Sequence, residues 1–333
     1  MGNAAAAGRV PTLAAIRDAA ARLEGWAVKT PLLDSPALDA KLGGRLLVKA
    51  EVLQRTGSFK FRGAYNRMSR IPAAERAQGV VAFSSGNHAQ GVAAAAQLLG
   101  MPAAIVMPAD APKMKVANTR GYGAEVVFYD RYKEDREAVA AHVLAERRAT
   151  LVRPYDDPYV IAGQGTAGLE LVEQALARGI ALDAVLAPSS GGGLISGIAI
   201  AVAALSPGTT VHSAEPEGFE DTARSLAAGR RLSNAGGGTT ICDALMAEQP
   251  GELTFAAMQG RVESGFAVSE AEVARAMAVA FEYFKLVVEP GGATALAAVL
   301  SGKVPIEGRT VAVVCSGGNV DPGLYCRLLA EVA

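Results

Sequence analysis

A chain of 333 residues with a formal net charge of -1 at pH 7 has no electrostatic bias toward nucleic acid or an anionic membrane surface. Its residues are 50% hydrophobic, enough to fill one large α/β unit or roughly two or three domains. Three cysteines, Cys242, Cys315 and Cys326, with no CxxC spacing, imply reduced thiols, and the longest apolar run, 194–205, is too short to cross a bilayer. The first residues lack the basic segment of a secretory signal and have Ala6 where a myristoylation motif has Ser or Thr. The expectation is a cytoplasmic protein with no nucleic-acid or membrane partner.

Residues 12–27 have helical spacing, with Leu13, Ile16, Ala20 and Leu23 on one face, and Thr30-Pro31-Leu32 breaks the pattern. Residues 45–51 read as a strand. Gly57 and Ser58 read as a turn and a helix N-cap, placing Lys60 in the first helical turn. Strands are predicted at 79–83, 103–107, 124–129 and 151–153, alternating with helices at 90–99, 113–120 and 133–148. Pro154 and the turn-like Asp156-Asp157-Pro158 close this run. A helix at 168–178 follows, then strands at 184–187, 209–214 and 309–315. Such alternation implies parallel sheets covered by helices. The predicted fold is α/β, with two open-sheet domains: a large one from residues 1–73 and 158–333, and a small one, 74–157, inserted into it.

Four stretches carry chemistry. Lys60 begins a helix, where the macrodipole and the apolar Phe59 both disfavour an ammonium; a lowered pKa suits Schiff-base chemistry, whereas an ordinary surface lysine is the plainer reading. Ser84-Ser85-Gly86-Asn87-His88 lies where a strand gives way to a helix, the place α/β sheets put ligands. His88 there reads as a residue that hydrogen-bonds its loop rather than as a base. Ser189-Ser190-Gly191-Gly192-Gly193-Leu194 joins a strand to an apolar helix, and its glycines let backbone N–H groups converge on a phosphate. Gly191 and Gly193, with Glu215 near the next strand end, also suit a nicotinamide-dependent dehydrogenase, although the third glycine of that fingerprint is out of register. Ser316, in Ser316-Gly317-Gly318-Asn319, ends another strand and suits a neutral contact to a heterocyclic nitrogen; a plain glycine turn is the alternative.

These residues match a known family. The chain resembles the fold type II pyridoxal-phosphate enzymes, the tryptophan synthase β-subunit group, and within it the threonine/serine dehydratases and serine racemases. The resemblance runs over nearly the whole chain and rests on Ser58-Phe-Lys-Phe-Arg-Gly-Ala64, Ser84-Ser-Gly-Asn-His88, Ile161-Ala-Gly-Gln-Gly-Thr166, Ser190-Gly-Gly-Gly-Leu194 and Ser316-Gly-Gly-Asn-Val320. It implies that Lys60 forms the Schiff base with pyridoxal 5'-phosphate, that Phe59 packs on the ring, and that Asn87 bonds the ring hydroxyl. It also implies that Ser190, Gly191, Gly192, Gly193 and Leu194 hold the phosphate and that Ser316 meets the ring nitrogen. One departure is Ser190, where relatives usually have a first glycine; the loop keeps its function if Ser190 keeps a common backbone conformation.

The implied reaction is β-elimination: the freed Lys60 amine removes the Cα proton, the β-hydroxyl leaves, and the enamine gives a 2-oxo acid and ammonia. Ser84, Ser85, Asn87 and His88 are the implied hold on the substrate carboxylate. Ser85 matches a serine on the cofactor face opposite the lysine, where it would permit racemisation. Arg136 matches an arginine able to pair with a second carboxylate; the alternative is a solvated helix residue whose neighbours Tyr132 and Ala140 carry no charge. Glu215 and Asp221, with the Phe219 carbonyl, match the ligands of a Mg²⁺ or Ca²⁺ site, the alternative being two solvated acids. Because the chain ends soon after the Ser316 loop, no C-terminal regulatory domain is expected. The expected activity is dehydration of L-threonine or L-serine by a homodimer. 3-Hydroxyaspartate dehydratase and serine racemase are alternatives within the class, and the NAD-dependent dehydrogenase is the one outside it.

Overall fold

The computed structural model describes Ala6 and residues 8–84, 86–111, 113–130, 132–236 and 238–332. Helix α1 (Leu13–Leu23), capped by Thr12, leads into β1 (Leu32–Asp34), α2 (Pro36–Leu42), β2 (Arg45–Ala50) and α3 (Lys60–Met68). The next stretch is β3 (Val80–Phe83), α4 (Asn87–Leu99), β4 (Ala103–Pro108), α5 (Lys113–Gly121), β5 (Glu125–Tyr129), α6 (Arg136–Arg147) and β6 (Thr150–Leu151). There follow α7 (Pro158–Ala177), β7 (Ala184–Pro188), α8 (Gly193–Leu205), β8 (Thr210–Pro216), α9 (Asp221–Ala228), α10 (Glu252–Met258) and β9 (Ser264–Val268). The chain closes with α11 (Glu270–Val279), α12 (Pro290–Leu300), β10 (Thr310–Cys315) and α13 (Pro322–Ala330).

The strands form two sheets. The 6-stranded sheet has the order β1-β2-β10-β7-β8-β9, and the 4-stranded sheet the order β5-β4-β3-β6. The chain therefore leaves the larger sheet after β2, builds the smaller one and returns. Central strands such as β4 and β7 are buried along their whole length, as expected when helices cover both faces. Among the described strands, β1 departs from parallel order, pairing antiparallel with β2 at the sheet edge. Those three residues follow a proline and are too short for a pattern to reveal. Among the described residues no helix is long and apolar enough to cross a membrane.

Parallel order has a functional consequence. The Ser84 loop leaves the carboxyl end of β3, the Ser189–Gly193 turn that of β7, and Ser316 that of β10, while the segment leading to Lys60 leaves that of β2. The four stretches meet: Phe59 bonds Ser316, Asn87 bonds Asn319, and Tyr155, next to the Pro154 carbonyl that Lys60 contacts, packs on the glycine turn.

The glycine-rich Ala162-Gly-Gln-Gly-Thr-Ala-Gly168 run sits inside a helix. Helix α7 starts at Pro158, ten residues before its predicted start, because Asp157 accepts the Tyr159 and Val160 amides and Pro158 opens the first turn. Its glycines are places of close approach. A Cβ on Gly163 would lie 2.6 Å from the Gly63 Cα, and one on Gly197 would lie 2.6 Å from the Gly165 Cα. Helices α3 and α8 therefore touch α7 backbone to backbone.

Helix α3 is also fixed by charge. Arg62 is buried, and its guanidinium donates to Glu51 (2.8 and 2.9 Å), Glu170 (2.7 and 2.9 Å), Thr166 (3.2 Å) and the Val28 carbonyl (3.2 Å). Buried Lys49 completes the group, donating to Glu170 (2.7 Å), the Thr30 carbonyl (2.6 Å) and Gln174 (3.0 Å). Two cations thus face two carboxylates, and each cation has its donors satisfied. Such a network gives little net stability against an apolar core, but breaking it strands a buried charge. Arg62→Met is expected to cost about 3–5 kcal/mol, read as a lower urea midpoint; an unchanged midpoint would contradict the assignment.

Candidate active site

Lys60 is the first residue of α3, and no acidic residue shares its first turn. Its cap differs from the expected one. Ser58 is extended and bridges to Gly317, its Oγ is buried without a partner, and Phe59 takes the cap position. The Phe59 amide donates to the Ser316 carbonyl (3.1 Å), so the lysine segment is pinned to the loop after β10. The Lys60 Nζ lies 5.2 Å from the centroid of the Phe59 ring and donates to the Pro154 carbonyl (2.9 Å). Burial pushes the amine down to about 8, with the Glu289 carboxylate pulling the other way. This amine therefore gives up its proton far more readily than a solvated lysine.

At the end of β3, Ser84 Oγ accepts the Gly86 amide (3.1 Å), and α4 begins at Asn87. The Asn87 Nδ2 donates to Glu289 (2.5 Å), and its Oδ1 accepts from Asn319 (2.8 Å). His88 Nε2 bonds the Val152 carbonyl (2.9 Å), and its buried Nδ1 has no partner. Burial, assisted by the Lys60 charge, pushes this imidazole down to about 3. It is neutral at any working pH, so the nitrogen facing the carbonyl carries the hydrogen. Ser85 lies outside the described residues.

The turn between β7 and α8 puts its strain on glycine. Gly191 and Gly192 have φ of 32° and 92°, whereas Ser190 is not among the residues with positive φ. The unusual serine therefore occupies a position any residue tolerates, and its Oγ accepts the Ala247 amide (3.0 Å). A side chain on Gly191 would overlap the Tyr155 ring, and one on Gly192 would lie 2.9 Å from Thr254 Cβ. The first amides of α8, at Gly193 and Leu194, have no acceptor within their own helix, and no acidic residue occupies that turn. Positive φ, absent side chains and a helix N-terminus together fit a phosphate.

Arg136 opens α6, which Asp135 caps through the Glu137 (2.6 Å) and Ala138 (3.0 Å) amides, three residues after the predicted start. Its exposed guanidinium lies 5.5 Å from the centroid of the Phe83 ring, beside the Ser84 loop. Its charge also acts on Tyr155, whose phenol burial raises. Among the described residues no ion pair engages Arg136.

Glu215 and Asp221 are both buried, at the end of β8 and the start of α9. Both Glu215 oxygens accept backbone amides, from Thr222 (2.9 Å) and Ala223 (2.8 Å). Asp221 Oδ1 accepts from Asn234 (2.8 Å), while its Oδ2 has no partner. Burial pushes the two carboxyls up to about 8 and about 6, respectively. Among the described residues no cluster of three His, Cys, Asp or Glu side chains is placed to hold a metal. Phe219, between the two acids, is itself buried, so a cation there would need main-chain oxygens as well.

Two residues of this region carry no role in the sequence reading. Glu289 is buried next to Asn87, and burial pushes its carboxyl up to about 7. Tyr155 packs on the glycine turn. A charged residue within the apolar run 286–299 was the available signal for Glu289; nothing in the sequence marks Tyr155.

Two α/β sheets whose strand-end loops meet, with a depressed lysine at one helix start and a glycine turn at another, suit a cofactor that carries an aldehyde and a phosphate. The family described as pyridoxal-phosphate dependent enzyme matches residues 23–317, and the chain belongs to it. An L-threo-3-hydroxyaspartate ammonia-lyase from a Pseudomonas species is 47% identical over 311 residues, covering 93% of this chain and 96% of that one. The crystal structure of a threonine deaminase from T.th. superposes with a TM-score of 0.88 at 48% identity, covering 93% and 99% of the two chains. Maize serine racemase superposes at 0.90 with 38% identity, covering 97% and 98%. This membership sets aside the nicotinamide reading.

Because Gly192 has a φ that side chains rarely adopt, Gly192→Ala is expected to weaken pyridoxal-phosphate affinity about tenfold or more. Titration of cofactor-free protein measures this, and a wild-type dissociation constant would contradict the cradle.

Proposed function

We propose that the chain is a pyridoxal-phosphate dependent ammonia-lyase whose preferred substrate is 3-hydroxyaspartate, with L-threonine and L-serine as poorer substrates of the same site. The observation that carries the substrate choice is Arg136, a guanidinium against Phe83 at the entrance of the Ser84 loop with no carboxylate partner among the described residues. Neither serine nor threonine has a group for it. A dicarboxylate does, and the hydroxyaspartate ammonia-lyase similarity points the same way.

In this reading Lys60 holds the cofactor aldehyde, the Ser190–Leu194 turn holds its phosphate, Phe59 packs on its ring, and Asn87 and Ser316 face its hydroxyl and ring nitrogen. When bound, the cofactor supplies an electron sink that makes the Cα proton of an attached amino acid acidic. The Lys60 amine is the base that takes that proton. Its depressed pKa leaves a large fraction neutral near pH 8, where a solvated lysine is nearly all ammonium. The N-terminal amides of α4 and Ser84 bind the substrate α-carboxylate, and Arg136 binds the second carboxylate. His88 holds the loop by its bond to Val152 and takes no proton. The Asp221 oxygen that lacks a partner, with Glu215 and the main chain at Phe219, is where a Mg²⁺ or Ca²⁺ ion would be held.

Arg136→Ala is expected to lower kcat/KM for L-threo-3-hydroxyaspartate about 10- to 100-fold while leaving that for L-threonine nearly unchanged. A wild-type enzyme that prefers threonine, or a variant that loses both substrates equally, would overturn the choice of substrate. Lys60→Ala should fold normally and have no turnover; retention of the wild-type rate would sink the mechanism. The kcat of the wild type should rise with pH and level off above about 8, because only the neutral Lys60 amine accepts the proton. A kcat that falls through this range would contradict the assignment of the base.

A further inference from the structure

Glu289 stands at the N-cap of α12, where a carboxylate ordinarily accepts the amides of its own helix. It makes no such bond. Its backbone amide is fixed to the Gly317 carbonyl (3.0 Å), and its side chain turns away to take the Asn87 Nδ2 at 2.5 Å. Room for this turn exists only because residue 317 is glycine; a Cβ there would overlap the Glu289 Oε1. The side chain is buried, with 2% of the residue exposed.

The contact is one of two that hold the Asn87 carboxamide. Its amide oxygen already accepts from Asn319, whose Nδ2 is in turn 2.7 Å from the Thr56 carbonyl. The Thr56 carbonyl can only accept, so Asn319 turns its NH2 to the Asn87 oxygen, and Glu289 on the nitrogen side adds a second hold on the same orientation. The remaining Asn87 N–H can only donate, so any group that meets it must accept. The Glu289 carboxylate also favours the charged form of the Lys60 amine. The other ionisable groups that face Glu289 are Lys115 of α5, Asp243 and Cys242; Lys60 is faced by Glu289 and the neutral His88. Lys115 is itself paired with Asp243.

We propose that Glu289 is a positioning residue of the site: together with Asn319 it holds the Asn87 carboxamide with its second N–H left to donate, and its carboxylate balances the charge of Lys60. The proposal rests on reading Lys60 as the amine that carries the cofactor. Glu289→Gln keeps the shape, removes the charge and allows the Asn87 amide to be met by either end of another amide.

The test is trace acetylation of Lys60 with acetic anhydride in cofactor-free full-length protein across the pH range, quantified by mass spectrometry. The wild-type midpoint should lie near 8, and that of Glu289→Gln about one pH unit lower, since an opposite charge has been lost. Pyridoxal phosphate should also bind the variant more weakly. A midpoint that does not move overturns the proposal. Should Glu289→Gln fail to fold, carbon NMR of glutamate-labelled wild type decides instead. The Glu289 resonance, assigned by its loss in Glu289→Asp, should show an inflection at the Lys60 midpoint that vanishes in Lys60→Ala, and a single unaltered step would overturn the proposal. Turnover by Lys60→Ala would refute the functional reading itself, whereas an unmoved acetylation midpoint refutes only the role of Glu289.

Discussion

A lysine held at the first turn of a helix and away from bulk water is the constraint on which this structure turns. Left to itself such a side chain would swing outward, because the helix dipole and desolvation both penalise its charge. Two arrangements prevent that. The segment before it is sewn to the loop after β10 through Ser58, Phe59, Ser316 and Gly317. Two residues further along α3, Arg62 points the other way into a network of Glu51, Glu170, Thr166 and Lys49. The helix is thus clamped on its far side so that its near side can present an amine.

The two sheets supply the remaining parts by geometry alone. Parallel strands deliver their connecting loops to one edge, so the Ser84 loop, the glycine turn and the Ser316 loop come together from strands far apart in sequence. Strand β10 matters most in this respect. It lies between β2 and β7, and so puts the C-terminal loop beside both the lysine segment and the glycine turn. The backbone contacts of α7 with α3 and α8, through Gly163 and Gly165, bring the starts of those two helices into fixed relation. A side chain at either crossing would push the Lys60 amine and the glycine turn apart.

Much of this was legible in the sequence because it depends on local signals. Alternating apolar runs and glycine stops mark every described strand except β1 and β9, together with the two-sheet fold, and the Ser84, Ser189 and Ser316 motifs do lie at strand ends. What was not legible depends on distant partners. The helix predicted from residue 168 omits the glycines before it because glycine weakens a helix, yet here Gly163 and Gly165 each admit another backbone. Antiparallel β1 is fixed by an edge position that no periodicity encodes. The expected cap at Ser58 failed because Gly317, near the other end of the chain, claims that residue for a bridge. Glu289 was passed over because its partner Asn87 lies 202 residues away.

The account stands on the claim that the Lys60 amine is the group joined to the cofactor. Reduction of the pyridoxal-phosphate-loaded enzyme with borohydride, followed by peptide mapping, tests this most directly. The label should fall on Lys60, and the protein should lose its visible absorbance and its turnover together. A label on another lysine, or full activity after reduction, would contradict the account.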